Sequence, residues 1–142
     1  MRIKITEEIE KKINKHVESE YPYEACGFLF GIDGKTRLIN SIFKVNNTSD
    51  DNKKRRFKIS PKDYLKAEKY AIKNKLSLLG VYHSHPDHPP ILSEYDLNSA
   101  LPYFSYLITS VRYGYIDESK SWRLNDNKIF EEEKLQFEIE TI

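Results

Sequence analysis

The 142-residue chain carries 23 basic and 22 acidic residues, a net charge of +1, with 39% hydrophobic and 13% aromatic residues. That balance excludes attraction to nucleic acid or to an anionic membrane by bulk charge, and the apolar content suffices for one core in one domain over residues 1–142. A single cysteine, Cys26, excludes an intramolecular disulfide and a cysteine-rich zinc cluster.

Residues 1–8 turn charged before any apolar run of signal-peptide length, and no stretch is long enough to span a bilayer. The expectation is a soluble protein of a reducing, cytoplasmic compartment. Thr6 can cap a helix over 7–20 whose stripe is Ile9, Ile13 and His16/Val17, ended by Pro22. The run 25–32, the Asp33-Gly34 turn signal and the run 36–45 read as a hairpin. Residues 46–56 are polar and charged, a loop, and 56–59 read as a short strand. Ser60-Pro61 opens a second helix to about residue 74, expected to bury Leu65, Ala67, Ala71 and Ile72.

The continuous apolar run 76–82 predicts a strand buried on both faces, delivering His83 and His85 at its end. Pro86, Pro89 and Pro90 forbid regular structure over 87–92. Ser93 caps a short helix through residue 100, stopped by Pro102. Residues 104–112, 115–116, 121–124 and 129–139 read as strands. The Glu131-Glu132-Glu133-Lys134 run leaves a helix open for the last of these.

His83 and His85 share one face of a strand, close enough to grip one metal ion. Asp96, three residues after Ser93 on a helix, can supply a third ligand, and three ligands leave a position open for chemistry. A metal held there would make water nucleophilic near neutral pH, but amide hydrolysis also needs a group to carry the proton. Glu24 is the candidate, because a charge at the start of a buried strand serves no packing purpose. The Ser93 hydroxyl can donate to a developing oxyanion.

Together Glu24…His83-Ser84-His85-Pro86-x6-Ser93-x2-Asp96, with Glu24-x-Cys26-Gly27, resembles the JAMM signature of the MPN-type zinc metallopeptidases. The resemblance implies an α/β, cytidine-deaminase-like fold with a mixed β-sheet flanked by helices. It implies His83, His85 and Asp96 as ligands of one Zn²⁺ per chain, Glu24 as general acid/base and Ser93 as oxyanion donor. The short connection after Asp96 is similar to compact prokaryotic members, which are associated with ubiquitin-like sulfur-carrier proteins ending in Gly-Gly. Such a tail, cut at a peptide or isopeptide bond, could add as a strand to a sheet edge. Two other classes stay open: a non-catalytic MPN module that binds a partner, and a two-histidine-one-carboxylate iron oxygenase. The last leaves Glu24 and the Ser93 spacing without a purpose.

Cys26 reads as a small buried residue and His16 as a packing residue. His88 reads as exposed, and Lys53-Lys54-Arg55-Arg56 as a solvated loop that could dock an acidic carrier. Trp122 reads as core.

Overall fold

The computed structural model describes residues 1–49, 52–54 and 56–138. In chain order the elements are β1 (Arg2–Thr6), α1 (Glu7–Glu20), β2 (Cys26–Ile32), β3 (Thr36–Val45) and α2 (Pro61–Lys73). They continue as β4 (Ser77–Pro86), α3 (Glu94–Ser99), β5 (Ser105–Arg112), β6 (Tyr115–Leu124) and β7 (Phe130–Glu138). The strands close into a barrel in the order β1-β3-β2-β4-β5-β6-β7. Pairing is mixed: β1/β3, β1/β7 and β4/β5 are parallel, and the other four pairs are antiparallel.

The fold is therefore α/β with a mixed sheet, as expected, but the sheet closes on itself instead of lying open between helices. The closing strand is β1, which pairs with both β3 and β7. Its alternation, with Ile3 and Ile5 wholly buried between the polar Arg2, Lys4 and Thr6, is a strand signal that the reading of the N-terminus as merely charged overlooks. The 56–59 segment is irregular rather than a strand, and β6 is one continuous strand across the two expected pieces. Strand β7 overrides the helix-favouring acidic run through its pairing with β1 and β6. Residue 139 lies outside the described residues.

Two apolar clusters sandwich the sheet. On one face, Ile9, Ile13 and Val17 of α1 pack with Ile3, Ile5, Leu29, Ile39, Tyr82 and Leu107. The helix reaches β1, β3, β4, β5, β6 and β7, which is feasible only from the side toward which the sheet curls. On the other face, Ala67 and Ala71 of α2 lie against Phe28, Phe30, Val81 and Tyr106. These alanines, one turn apart, let the helix approach the sheet closely. Leu65 and Ile72, expected in the core, are instead exposed (51% and 80%) because they fall outside that narrow alanine stripe.

One irregularity lies between the start of β4 and the histidines. Phe30 pairs with Leu78 and Leu29 with Gly80, so Leu79 is an extra residue in β4. Leu79 joins the α1 cluster and Val81 the α2 cluster, although residues two apart on a regular strand share a face. The freed Leu79 carbonyl accepts from Arg37 Nη1 (3.1 Å), which also donates to Ser105 Oγ (2.9 Å). Beyond the bulge, His83 and His85 follow Val81 onto the α2 face, while Tyr82 turns to α1 and its hydroxyl meets His16 Nδ1 at 2.7 Å.

Candidate metal and catalytic site

His83 and His85 are 1% exposed and lie inside β4, farther from its end than the apolar run alone suggests. Their Nε2 atoms face each other at 3.2 Å. Asp96, 5% exposed, places Oδ1 3.3 Å from His83 Nε2 and Oδ2 3.0 Å from His85 Nε2. Burial favours its protonated form. While the imidazoles are protonated, the charge of His83, hydrogen bonds from both rings and the Ser93 amide outweigh burial and hold the carboxyl well below the usual carboxylate range.

A reciprocal capping box aims that carboxylate. The Ser93 amide donates to Asp96 Oδ2 (3.0 Å), and the Asp96 amide donates to Ser93 Oγ (3.1 Å). Ser93 Oγ thus accepts one bond and keeps its own O–H to give. The two rings are held differently. His85 Nδ1 meets the Pro89 carbonyl at 2.8 Å; a carbonyl only accepts, so Nδ1 carries the proton and Nε2 presents a lone pair. His83 Nδ1 is buried with no hydrogen-bond partner among the described residues, and its ring stacks on Phe57 (4.4 Å between centroids, 27°).

Glu24, 2% exposed, joins the same cluster: one of its oxygens and one nitrogen from each of His83 and His85 lie within 4.8 Å of one another. Ser84, between the two histidines, fixes the chain there. Its Oγ accepts from the Ala25 amide (2.8 Å) and its amide donates to the Ala25 carbonyl (3.0 Å). The Glu24 amide donates to Lys53 O (2.7 Å), and Asn47 Nδ2 donates to Glu24 O (3.2 Å). Of the five residues expected at the site, His83 and His85 thus stand within reach of both carboxylates, with Asp96 at 3.0–3.3 Å and Glu24 within 4.8 Å of them. Ser93 adjoins through its capping bonds.

The donors suit a divalent ion. Tetrahedral zinc with ligands at about 2.0–2.1 Å separates those ligands by about 3.3 Å. The two Nε2 atoms are 3.2 Å apart, and each lies 3.0–3.3 Å from a different oxygen of Asp96, a spacing of that order. With both imidazoles neutral and protonated on Nδ1, their Nε2 lone pairs and the Asp96 carboxylate repel one another unless a cation lies between them. Asp96 meets both histidines at 3.0–3.3 Å, and Glu24, within 4.8 Å of a nitrogen of each, is also near enough to reach an ion held there.

Beside the histidines opens a cleft of about 640 Å³, walled by Phe57, Ile59, Tyr64, Leu65 and Leu101, with His83 and Asp96 in its lining. The exposed Leu65 faces this space. Arg56 stacks over Tyr95 at 5.3 Å across from α2. Phe57, Ser84, Pro89 and Trp122 were not singled out for the site. Only Ser84 had a signal, its place between two histidines; the others act through tertiary contacts.

The remaining residues resolve as follows. Cys26 is buried, its thiol pushed up to about 12 by burial and then by Glu24. His16 is buried, and burial lowers its pKa. His88 is half-buried, not exposed, because its ring stacks on His85 (4.1 Å, 18°). Trp122 is half-buried outside both core clusters, and its Nε1 donates to Pro90 O (3.1 Å). Lys53, Lys54 and Arg56 are exposed; Arg55 lies outside the described residues. No described helix is long and apolar enough to cross a membrane.

Residues 6–125 match the family model described as prokaryotic homologs of the JAB domain. A desampylase from Pyrococcus furiosus is 32% identical over 117 residues, covering 81% of this chain and 77% of that protein. A protein of Desulfitobacterium hafniense known from a solution structure superposes with a TM-score of 0.84 at 30% identity, over 97% of this chain and 94% of that one. A JAB1/MPN domain protein from Archaeoglobus fulgidus shares the fold, with a TM-score of 0.61 at 20% identity over 96% and 98% of the two chains.

Proposed function

Because the chain belongs to the prokaryotic JAB family, the compact JAMM/MPN proteins, we propose that it is a zinc-dependent hydrolase of a peptide or isopeptide bond at the Gly-Gly end of a ubiquitin-like sulfur carrier. The observation that carries the proposal is the convergence of His83 Nε2, His85 Nε2 and both Asp96 oxygens within 3.0–3.3 Å, with Glu24 alongside. The similarity to a protein named desampylase supports isopeptide cleavage on a ubiquitin-like protein.

His83, His85 and Asp96 would hold the zinc ion, which supplies Lewis acidity and makes water nucleophilic at neutral pH. Glu24 accepts the proton of the attacking water at its carboxylate and returns it to the leaving amine. Its burial keeps that proton from exchanging with bulk solvent. Ser93 donates its free O–H to the oxyanion of the tetrahedral intermediate while its backbone stays fixed by the capping box. The apolar cleft beside His83 and Asp96 takes side chains of the extended tail, leaving the glycines, which have none, to reach the crowded centre. This is a simpler route than strand addition, because the sheet closes on itself.

Glu24→Gln tests the mechanism: metal content should remain at one equivalent while turnover falls by about 10²–10⁴-fold. Cleavage at the wild-type rate would remove Glu24 from the mechanism. Incubation with carriers extended beyond Gly-Gly, read by product mass, tests the substrate. A product lacking the extension is expected, and intact carriers under conditions where the metal is bound would favour a partner-binding module instead.

A further inference from the structure

Residues 86–90, the strap between β4 and α3, have three prolines in five positions and so lack most of the amides that anchor a loop. The Asp87 amide donates to Val111 O (2.7 Å), and the other backbone anchors are carbonyls. Pro86 O accepts from His88 Nδ1 (2.8 Å), and His88 O from Ser110 Oγ (2.7 Å). Pro89 O accepts from His85 Nδ1 (2.8 Å), and Pro90 O from Trp122 Nε1 (3.1 Å). The first turn is set by Asp87, which adopts a positive φ of 58°. Its carboxylate takes the Tyr21 hydroxyl (2.5 Å) and the Tyr113 amide (2.8 Å).

The donors from the barrel bracket one atom. Ser110, paired in register with His85 on the neighbouring strand, holds the carbonyl before Pro89, and Trp122 on β6 holds the carbonyl after it. The Pro89 carbonyl between them commits His85 Nδ1 as a donor. We infer that Trp122 and Ser110 are positioning residues: by clamping the strap on either side of Pro89 they fix the tautomer and direction of His85, and so tune metal binding. The inference rests on His85 being a metal ligand. His83 has no such device, which makes it an internal control.

Trp122→Phe keeps an aromatic side chain but loses the pyrrole half of the indole with its N–H; Ser110→Ala deletes the other anchor. Metal dissociation constants by chelator competition, and the imidazole ¹⁵N spectra of metal-free and zinc-loaded protein, read the effect without reference to activity. Each variant should bind zinc about ten-fold more weakly, the low end for groups supporting a ligand. The His85 Nδ1–H signal should shift and exchange faster while the His83 signals stay put. Thermal melting identifies a variant that has failed to fold, in which case the other decides. Unchanged zinc affinity and an unchanged His85 Nδ1–H in the folded variants would overturn the inference. His85→Ala separates it from the reading beneath: if His85→Ala still binds zinc, the ligand assignment fails. If it loses zinc while the folded clamp variants match wild type, only the clamp fails.

Discussion

His83 and His85 stand two residues apart on one strand and face one point, yet different means hold them. His83 is set by packing, with a stacked phenylalanine and a buried Nδ1 that no described residue bonds. His85 is stacked too, on His88, but is also set by hydrogen bonding, with Nδ1 committed to a carbonyl that a strap presents. Packing confines a ring without choosing which nitrogen carries the proton, whereas a carbonyl partner makes that choice. The floor of the site is therefore dry and permissive, and its strap side is directional.

Alanine at His83, His85 or Asp96 should each cost at least about a thousandfold in metal affinity, since each removes one of three ligands where supporting groups cost about 10–100-fold. Atomic absorption after dialysis checks this; metal retained by His83→Ala alone would make the two sides unequal as ligands. Next in size, Phe57→Ala should lower stability by about 3 kcal/mol, the low end for a buried aromatic, because Phe57 is 8% exposed. If the packed side acts through stability, zinc affinity measured on the folded fraction changes far less than the melting point does.

Cys26 reports the dryness of the same side, since it pairs with His83 across β2 and β4. With its thiol at about 12, roughly one molecule in ten thousand is thiolate at pH 8. Iodoacetamide should label native protein slowly and denatured protein fast; rapid native labelling would show that water enters beside His83. The smallest effect belongs to His16, on the opposite face. Burial lowers its folded pKa below the unfolded value of 6.5. The unfolded state therefore binds more protons below that pH, so the contribution is present above about pH 6.5 and is lost as pH falls. In His16→Gln the melting point should depend less on pH between 5 and 7.

Much of the frame was legible because it rests on local chemistry. Thr6, Ser60 and Ser93 announce their helices by capping, and each accepts the expected amide. The Ser93 to Asp96 spacing announced a shared helix face, and the capping box supplies it. Contacts between distant backbone segments were not legible. Nothing in the chain before β4 says that Leu79 will be skipped by β2, or that Pro89 will turn its carbonyl to His85. Leu65 was misjudged for a related reason: helical periodicity marks it as apolar but does not say whether a sheet or a cleft faces it. Glu133 belongs to the run that left a helix open, and no local signal marks its burial: it is 1% exposed and bonded by Ser121 (2.8 Å) and Arg123.

The extra residue at Leu79 is a point of slack in β4. Deleting it would leave Leu78 opposite Phe30 and Gly80 opposite Leu29, a regular strand with both imidazoles still on the α2 face. A single deletion between Val81 and His83 has no such slack to draw on and would turn both imidazoles toward α1. Viable relatives should therefore gain or lose single residues at the bulge and keep the stretch beyond it at constant length.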